Sequence, residues 1–518
     1  MSKNAWLGGV ALAAAAAALR ALVATRREGI EVDGIVYLGN ARALAAGEWS
    51  SITVLHPPGY SIVLMPFVAW ASDPEWIARL VSAALGGLWV LATLWLARET
   101  TDERVGWTAA VLAALMPSAV EAGTRVLAEA AAGLVLTLLL AAFARLVTAP
   151  SWKLVVAVGF LGGFATLTRP EGAAYVVLAA VTLVVLPRLA PGRWPSGRGL
   201  GSAAVVLGLA LVLVLPYSAL IHRQTGVWHW SGKADAALRI AEHVGADRPG
   251  AVIERVVTGM EDAGPARGLV STLLAHPWET LRRILVNLHL LDRYVIPGLL
   301  ETGGIVLLML GYLHLRPRRP PARPEWLLAL APLPLAGLLL FNVEARYFVP
   351  LIPAMSVVAA LGVARFGRHP EAPERRRLVT AARVVLLLVL ASWVPWIARP
   401  WFREDPAAVD KRAALWLRET VGPGAVFVGR YPLISYYAGA VGVPFAEKPL
   451  AQALADGRRA GARFAIVDSE RLPVSRPDLL GLVAGESRPG LELARLVEDR
   501  AGRRVVVYRF SVTSDSAK

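Results

Sequence analysis

Two stretches that frame one inter-helix segment carry side chains able to do chemistry. Asp33-Gly-Ile-Val-Tyr37 opens the segment and His56-Pro57-Pro58-Gly59-Tyr60 closes it. Three further places set arginine beside carboxylate: Glu121, Arg125 and Glu129; Arg169-Pro170-Glu171; and Glu344-Ala345-Arg346-Tyr347. A carboxylate can take the proton of an attacking hydroxyl, provided geometry allows it. Arginine offers a planar fork of donors that matches phosphate. Cationic donors aimed at a departing anion lower the barrier to its departure. Asp33 is therefore the candidate general base, and Glu129 the second acid, either orienting an acceptor or holding an arginine. Arg169, Arg346, His56 and Arg125 are candidates for gripping phosphate. Tyr37, Tyr60, Glu171 and Tyr347 are candidates for binding substrate. Lys233, at the end of Thr225-Gly-Val-Trp-His-Trp-Ser-Gly-Lys233, is placed to meet phosphate or sugar beside its two tryptophans.

Each has a plainer alternative. Asp33 would serve as the N-cap of a following helix. Any arginine–carboxylate set would serve as a local ion pair, and Trp228 and Trp230 as interfacial anchors. The histidines number eight, scattered without a metal-binding spacing, and there is no cysteine, which excludes disulfides and thiolate metal sites. No phosphate-binding glycine loop and no internal repeat is present. No cofactor follows from these residues, and a divalent metal is left open.

The elements that must position these groups are membrane helices. The chain has 518 residues, 56% of them hydrophobic and only 18% charged, with a mean hydropathy of +0.52. Ordinary soluble cores cannot bury so much apolar surface. A hydrocarbon core about 30 Å thick takes about 20 apolar residues as helix, and backbone in lipid must satisfy its own hydrogen bonds. Eleven spans are expected: 5–24, 77–98, 105–118, 124–147, 153–168, 171–188, 200–221, 296–315, 326–342, 347–364 and 379–398. The first of these lacks a small-residue cleavage site, so a cleaved signal peptide is not expected.

The net charge of +15 raises nucleic acid as a partner. The basic residues gather in short inter-helix loops, however, and membrane topology accounts for them. With the N-terminus cytoplasmic, the inner segments hold Lys3; Arg98 and Arg104; Arg145 and Lys153; Arg188, Arg193 and Arg198; Arg316, Arg318, Arg319 and Arg323; and Arg365, Arg368, Arg375, Arg376 and Arg377. Arg26 and Arg27 run against the pattern. The expected partition is a membrane domain over 1–400, with extracytoplasmic loops 26–75 and 222–295, and an extracytoplasmic domain over 401–518. Within the latter, 425–429, 464–468 and 503–510 read as strands, with helices at 407–420 and 449–460, which makes a small α/β domain. Helical spacing over 37–46 predicts an interfacial helix in the first loop. Ionisable groups at membrane depth cost about 2.5–3.5 kcal/mol each and therefore face a cavity or a partner. Several at the outer ends of spans point to a phosphate-bearing lipid.

Taken together, these motifs resemble the C-type-fold membrane glycosyltransferases that use polyprenyl-phosphate sugars, near the protein O-mannosyltransferases and the lipid A aminoarabinose transferases. The likeness rests on Asp33-Gly-x-x-Tyr37, on His56-Pro-Pro-Gly-Tyr60, on Leu167-Thr-Arg-Pro-Glu-Gly172 and on Arg346-Tyr-Phe-Val-Pro-Leu351, and it covers residues 1 to about 400. One acid stands at Asp33, without the adjacent Asp-Glu pair of the eukaryotic mannosyltransferases, and His56 stands where many aminoarabinose-transferase-like members have lysine. The resemblance implies a multi-pass protein of the cell inner membrane. It also implies an enzyme that moves a hexose or pentose from polyprenyl phosphate to a hydroxyl of a protein, lipid or glycan, with inversion. A transporter or flippase of a lipid-linked substrate is the competing class, and a non-catalytic scaffold a third.

Overall fold

The computed structural model describes residues 3–189, 194, 196–233, 276–315, 324–366, 372–429, 431–443, 445, 449–470 and 472–511. Arg193, Arg316, Arg318, Arg319, Arg323 and Arg368, used above for orientation, lie outside the described residues, as does 234–275 of the expected second extracytoplasmic loop. The described chain divides into two compact units. One comprises Met1–Thr25, Val36–Ala234 and Trp278–Arg399, and the other unites Arg26–Ile35 with Pro400–Lys518.

The first unit is helical. The helices α1 (Lys3–Ala24), α2 (Val32–Ala45), α3 (Gly59–Val68), α4 (Pro74–Thr100) and α5 (Glu103–Leu115) come first. They are followed by α6 (Pro117–Ala122), α7 (Glu129–Thr148), α8 (Trp152–Thr168), α9 (Gly172–Leu189) and α10 (Ser196–Thr225). Further helical segments run over Pro277–Leu313, Trp326–Leu340 and Ala345–Arg365, and Ala372–Phe402 leads toward the second unit. Among the described residues, seven helical stretches are long and apolar enough to cross a membrane, and shorter apolar helices include α3, α8 and α9. This is a multi-pass membrane protein.

The sequence puts its breaks where chemistry requires them. Pro117 has no amide hydrogen to donate and separates α5 from α6. The span expected over 124–147 begins as helix only at Glu129. The one expected over 326–342 is a short α-helix followed by a 3-10 helix, Leu333–Leu340. Pro350 sits in a 3-10 turn between Ala345–Phe348 and Ile352–Arg365. The segment between α1 and α4 holds the α-helices α2 and α3, and α2 buries Tyr37, Leu38, Ala41 and Leu44. Asn40 closes the turn between them, donating to the Thr53 carbonyl at 3.0 Å while its own side-chain oxygen accepts from the Thr53 amide at 2.9 Å.

Arg20 of α1 is completely buried, and its guanidinium donates to the carbonyls of Ala16, Ala113 and Ala114. The latter two belong to the last turn of α5, where carbonyls lack intrahelical partners. A cation at a helix C-terminus also suits the helix dipole. The side chain thus satisfies a helix end that has no water to use.

The second unit is a small α/β fold. Its mixed sheet has the order β2-β1-β3-β5-β4, with β1 Val426–Val428, β2 Val441–Val443, β3 Ala462–Asp468, β4 Leu491–Glu498 and β5 Arg504–Phe510. β1 pairs parallel with β2 and β3, and β5 pairs antiparallel with β3 and β4. β1, β3 and β5 match the expected strands to within a few residues. The short β2 and the half-exposed β4, whose burial pattern is irregular, escape sequence reading. Helices Ala407–Val421 and Leu450–Arg459 stand where expected. The core joins Val428, Ala465, Val467, Val506 and Tyr508, and the Arg503–Asp410 ion pair, 2.7 Å and nearly sealed from solvent, ties the first helix to the start of β5.

Candidate active site

Arg169 stands in the turn between α8 and α9, a turn enforced by Pro170. Its Nη1 reaches Glu129 Oε1 at 3.2 Å, and Nε and Nη2 reach the two oxygens of Glu171 at 3.4 Å each. Glu129 opens α7, so its carboxylate lies at a helix N-terminus, where the dipole favours negative charge. Glu129 is 4% exposed, and its Oε2 has no hydrogen-bond partner among the described residues. Burial alone would lower the Arg169 pKa, but the Glu171 and Glu129 carboxylates raise it above the ordinary arginine value. The guanidinium is held charged, by contacts long enough to be exchanged for better ones.

The third motif arrives from far along the chain. Arg169 lies over the ring of Tyr347, 5.1 Å from its centroid, and Arg346 lies over the same ring at 5.4 Å. Such stacking is worth about 0.5–2 kcal/mol, depending on exposure. Glu344 collects this end of the site: it accepts from Arg346 Nε at 2.7 Å, from the Tyr347 hydroxyl at 3.2 Å and from Asn342 Nδ2 at 3.1 Å. Arg169, Glu171 and Tyr347 line a cavity whose other walls include Ala132, Leu136 and Leu335. Charged donors on one side and an aliphatic wall on the other suit an amphiphile with an anionic head.

The segment between α1 and α4 contributes an aromatic cluster. Tyr37 of α2 meets the rings of His56 and Tyr60 edge-on, with centroids at 5.0 and 5.1 Å. Tyr37 lies within electrostatic range of Arg169. His56 is buried, and Tyr60 is fully buried with its hydroxyl 2.5 Å from Ser82 Oγ, so Tyr60 supports Tyr37 from behind. Gly59 packs directly on the Leu167–Thr168 backbone that leads into Arg169. From the segment after α10, Lys233 lies within electrostatic range of Glu171. Its Ser231-Gly232 neighbours are tied through the Tyr217 hydroxyl, which takes the Gly232 amide at 3.3 Å and donates to the Val54 carbonyl at 2.8 Å. Trp228 stacks on His222 with centroids 4.5 Å apart.

Nine of the sequence-derived candidates therefore meet in one unit: Tyr37, His56, Tyr60, Glu129, Arg169, Glu171, Lys233, Arg346 and Tyr347. Arg125 is paired instead with Glu121 on its own turn, both partly exposed. Asp33 lies in the first turn of α2, half-buried, within the segment Arg26–Ile35 that belongs to the other unit. It is not the N-cap, because the Glu31 carbonyl already accepts from the Ile35 amide and places Asp33 inside the helix. Glu344 was visible as a carboxylate next to Arg346, but its role as the hub of this end was not. Among the described residues, no group of three or more His, Asp or Glu side chains could hold a metal ion.

Residues 55–218 match the family described as Dolichyl-phosphate-mannose-protein mannosyltransferase. That segment carries His56, Tyr60, Glu129, Arg169 and Glu171. ArnT from Cupriavidus metallidurans in the apo state superposes with a TM-score of 0.60 at 15% identity, over 98% of both chains. The chain has the C-type glycosyltransferase fold. The same ArnT bound to undecaprenyl phosphate gives a TM-score of 0.57 at 15% identity, with 98% of each chain covered. The archaeal oligosaccharyltransferase AglB from Archaeoglobus fulgidus, in complex with an inhibitory peptide and a dolichol-phosphate, also shares this C-type fold. It gives 0.57 at 14% identity over 98% of this chain and 75% of its own. A comparison with curated protein sequences finds no match.

Proposed function

We propose that this protein is a glycosyltransferase that moves a sugar from a polyprenyl-phosphate donor to a hydroxyl acceptor, with inversion, at the extracytoplasmic face of the inner membrane. The observation that carries the reading is the convergence of Arg169 and Arg346 on one Tyr347 ring, beside Glu129 and an aliphatic wall. It is supported by the family match and by the fold shared with structures that hold undecaprenyl phosphate and dolichol-phosphate.

In this mechanism the acceptor oxygen attacks the anomeric carbon while Asp33 takes its proton. The carbon–oxygen bond to phosphate breaks, and the electron pair leaves with polyprenyl phosphate. Arg346, the more exposed of the two arginines, meets the phosphate first, and Arg169 turns part of its fork from Glu171 toward the growing charge. Lys233 adds a third cation, and His56 is a further phosphate-side group. Glu129 keeps Arg169 aimed, Tyr37 borders the sugar, and Tyr60 supports Tyr37. Arg125 serves as an outer contact for the donor head.

Purified protein in lipid nanodiscs, incubated with a panel of polyprenyl-phosphate sugars and a mixture of envelope acceptors, tests this directly. Release of free polyprenyl phosphate that depends on one sugar and on acceptor is expected. If no donor turns over while lipid-linked substrate crosses the bilayer of proteoliposomes, the protein is a flippase.

A further inference from the structure

The residues just before α2 are not a loose linker. Within the second unit, the Glu28 amide donates to Asp405 Oδ2 at 2.9 Å, and Lys411 Nζ donates to the Glu28 carbonyl at 2.7 Å. The Ile30 amide donates to the Tyr437 hydroxyl at 2.7 Å, and the Ile30 side chain is 1% exposed. Lys411 also lies 4.7 Å above the Tyr437 ring, so the two anchoring side chains brace each other. Arg26 stacks on Trp401 at 5.8 Å. Between the anchors, Gly29 passes so close to Ala407 that an added Cβ would overlap the alanine Cβ. Only a residue without a side chain lets the strap lie this flat.

The strap ends at Ile30, and the Glu31 carbonyl is already the first acceptor of α2. Asp33 is then three residues from a doubly anchored point, a reach of at most about 10 Å, and all but the first step is helix. A hydrogen bond held among buried groups fixes position more tightly than one shared with water. Burying Ile30 and bonding its amide therefore sets where the α2 N-terminus, and with it the Asp33 carboxylate, can go.

We infer that the C-terminal domain positions the Asp33 carboxylate for proton transfer, with Tyr437 and Lys411 as positioning residues acting through the strap Arg26–Ile30. This inference rests on the reading of Asp33 as general base. It gives the C-terminal domain a part in the chemical step, distinct from selecting an acceptor.

The test uses the full-length protein and the donor-turnover assay, with kcat and donor KM measured separately. Tyr437→Phe removes one hydroxyl, Lys411→Met removes the ammonium, and Lys411→Arg retains a cationic donor. Displacing a reacting group by a fraction of an ångström costs roughly ten-fold or more. Tyr437→Phe and Lys411→Met are expected to lower kcat by that factor, with donor KM changed by less than about two-fold. Lys411→Arg is expected to stay near the native rate. Hydrogen exchange of the peptide covering 26–31 should quicken in the first two variants while β3 and β5 stay protected. If exchange quickens and kcat does not fall, the strap is only a tether and the inference is overturned. Asp33→Asn is assayed alongside: its inactivity combined with normal strap variants sinks this inference alone. Native turnover by Asp33→Asn sinks the general-base reading and this inference with it.

Discussion

Gly59 lies against Leu167 so closely that a Cβ on the glycine would be 2.6 Å from the leucine carbonyl oxygen. That approach joins the two motifs of the site, since Gly59 follows His56-Pro57-Pro58 and Leu167 leads into Arg169. α3 can start where it does only because nothing projects from its first residue.

Gly59→Ala is therefore expected to force the two backbones apart, at about 1–3 kcal/mol. Thermal unfolding in detergent should show a lowered Tm, and donor turnover should fall because the α8–α9 turn moves with Arg169. Gly39, with nothing near its missing side chain, serves as the control, and its alanine variant should unfold near the native temperature.

Asp33→Asn keeps the shape of the side chain and removes its basicity. A general base contributes about 10²–10⁴-fold, so release of polyprenyl phosphate should drop by at least the lower factor while polyprenyl-phosphate binding is retained. Near-native turnover would refute the assignment.

Glu129→Gln removes one of the two carboxylates that hold Arg169 while preserving a hydrogen-bond acceptor. With less competition for its guanidinium, the site should bind polyprenyl phosphate more tightly and turn over more slowly. Arg346→Ala should do the opposite to affinity, weakening donor binding severalfold. Titration of both variants with fluorescent polyprenyl phosphate would read the two signs, and equal affinities would remove the phosphate grip from the mechanism.

Arg20→Met should leave the terminal carbonyls of α5 without donors in a dry setting, at about 1–3 kcal/mol for each unsatisfied group. A lower unfolding temperature with unchanged donor affinity is expected, since Arg20 bonds only helix carbonyls and none of the site side chains.

What the residue order determined by itself was local. Apolar runs of membrane-spanning length can only be helices in lipid, and the expected spans fall largely on helical segments, although the breaks at Pro117 and Pro350 lie inside the expected spans 105–118 and 347–364 and only the structure shows them. Arginines standing beside carboxylates at span ends marked Arg169, Glu129 and Arg346 as partners of something, because charge there is too costly to be idle. Tertiary structure alone decided which partner each one has. Nothing local distinguishes Arg125, which closes on Glu121 four residues before it, from Arg169, which crosses to Glu129 on another helix. Only packing brings Tyr347 under two arginines that the chain keeps far apart, or lays Gly59 on Leu167. The strap was the least legible of all. Arg26 and Arg27 read as a discordance in the charge pattern, yet the segment they open is fastened to Asp405, Lys411 and Tyr437, nearly four hundred residues away. A hydrogen bond between a backbone amide and a distant tyrosine leaves no trace in periodicity or composition, because only the folded chain puts the two within reach.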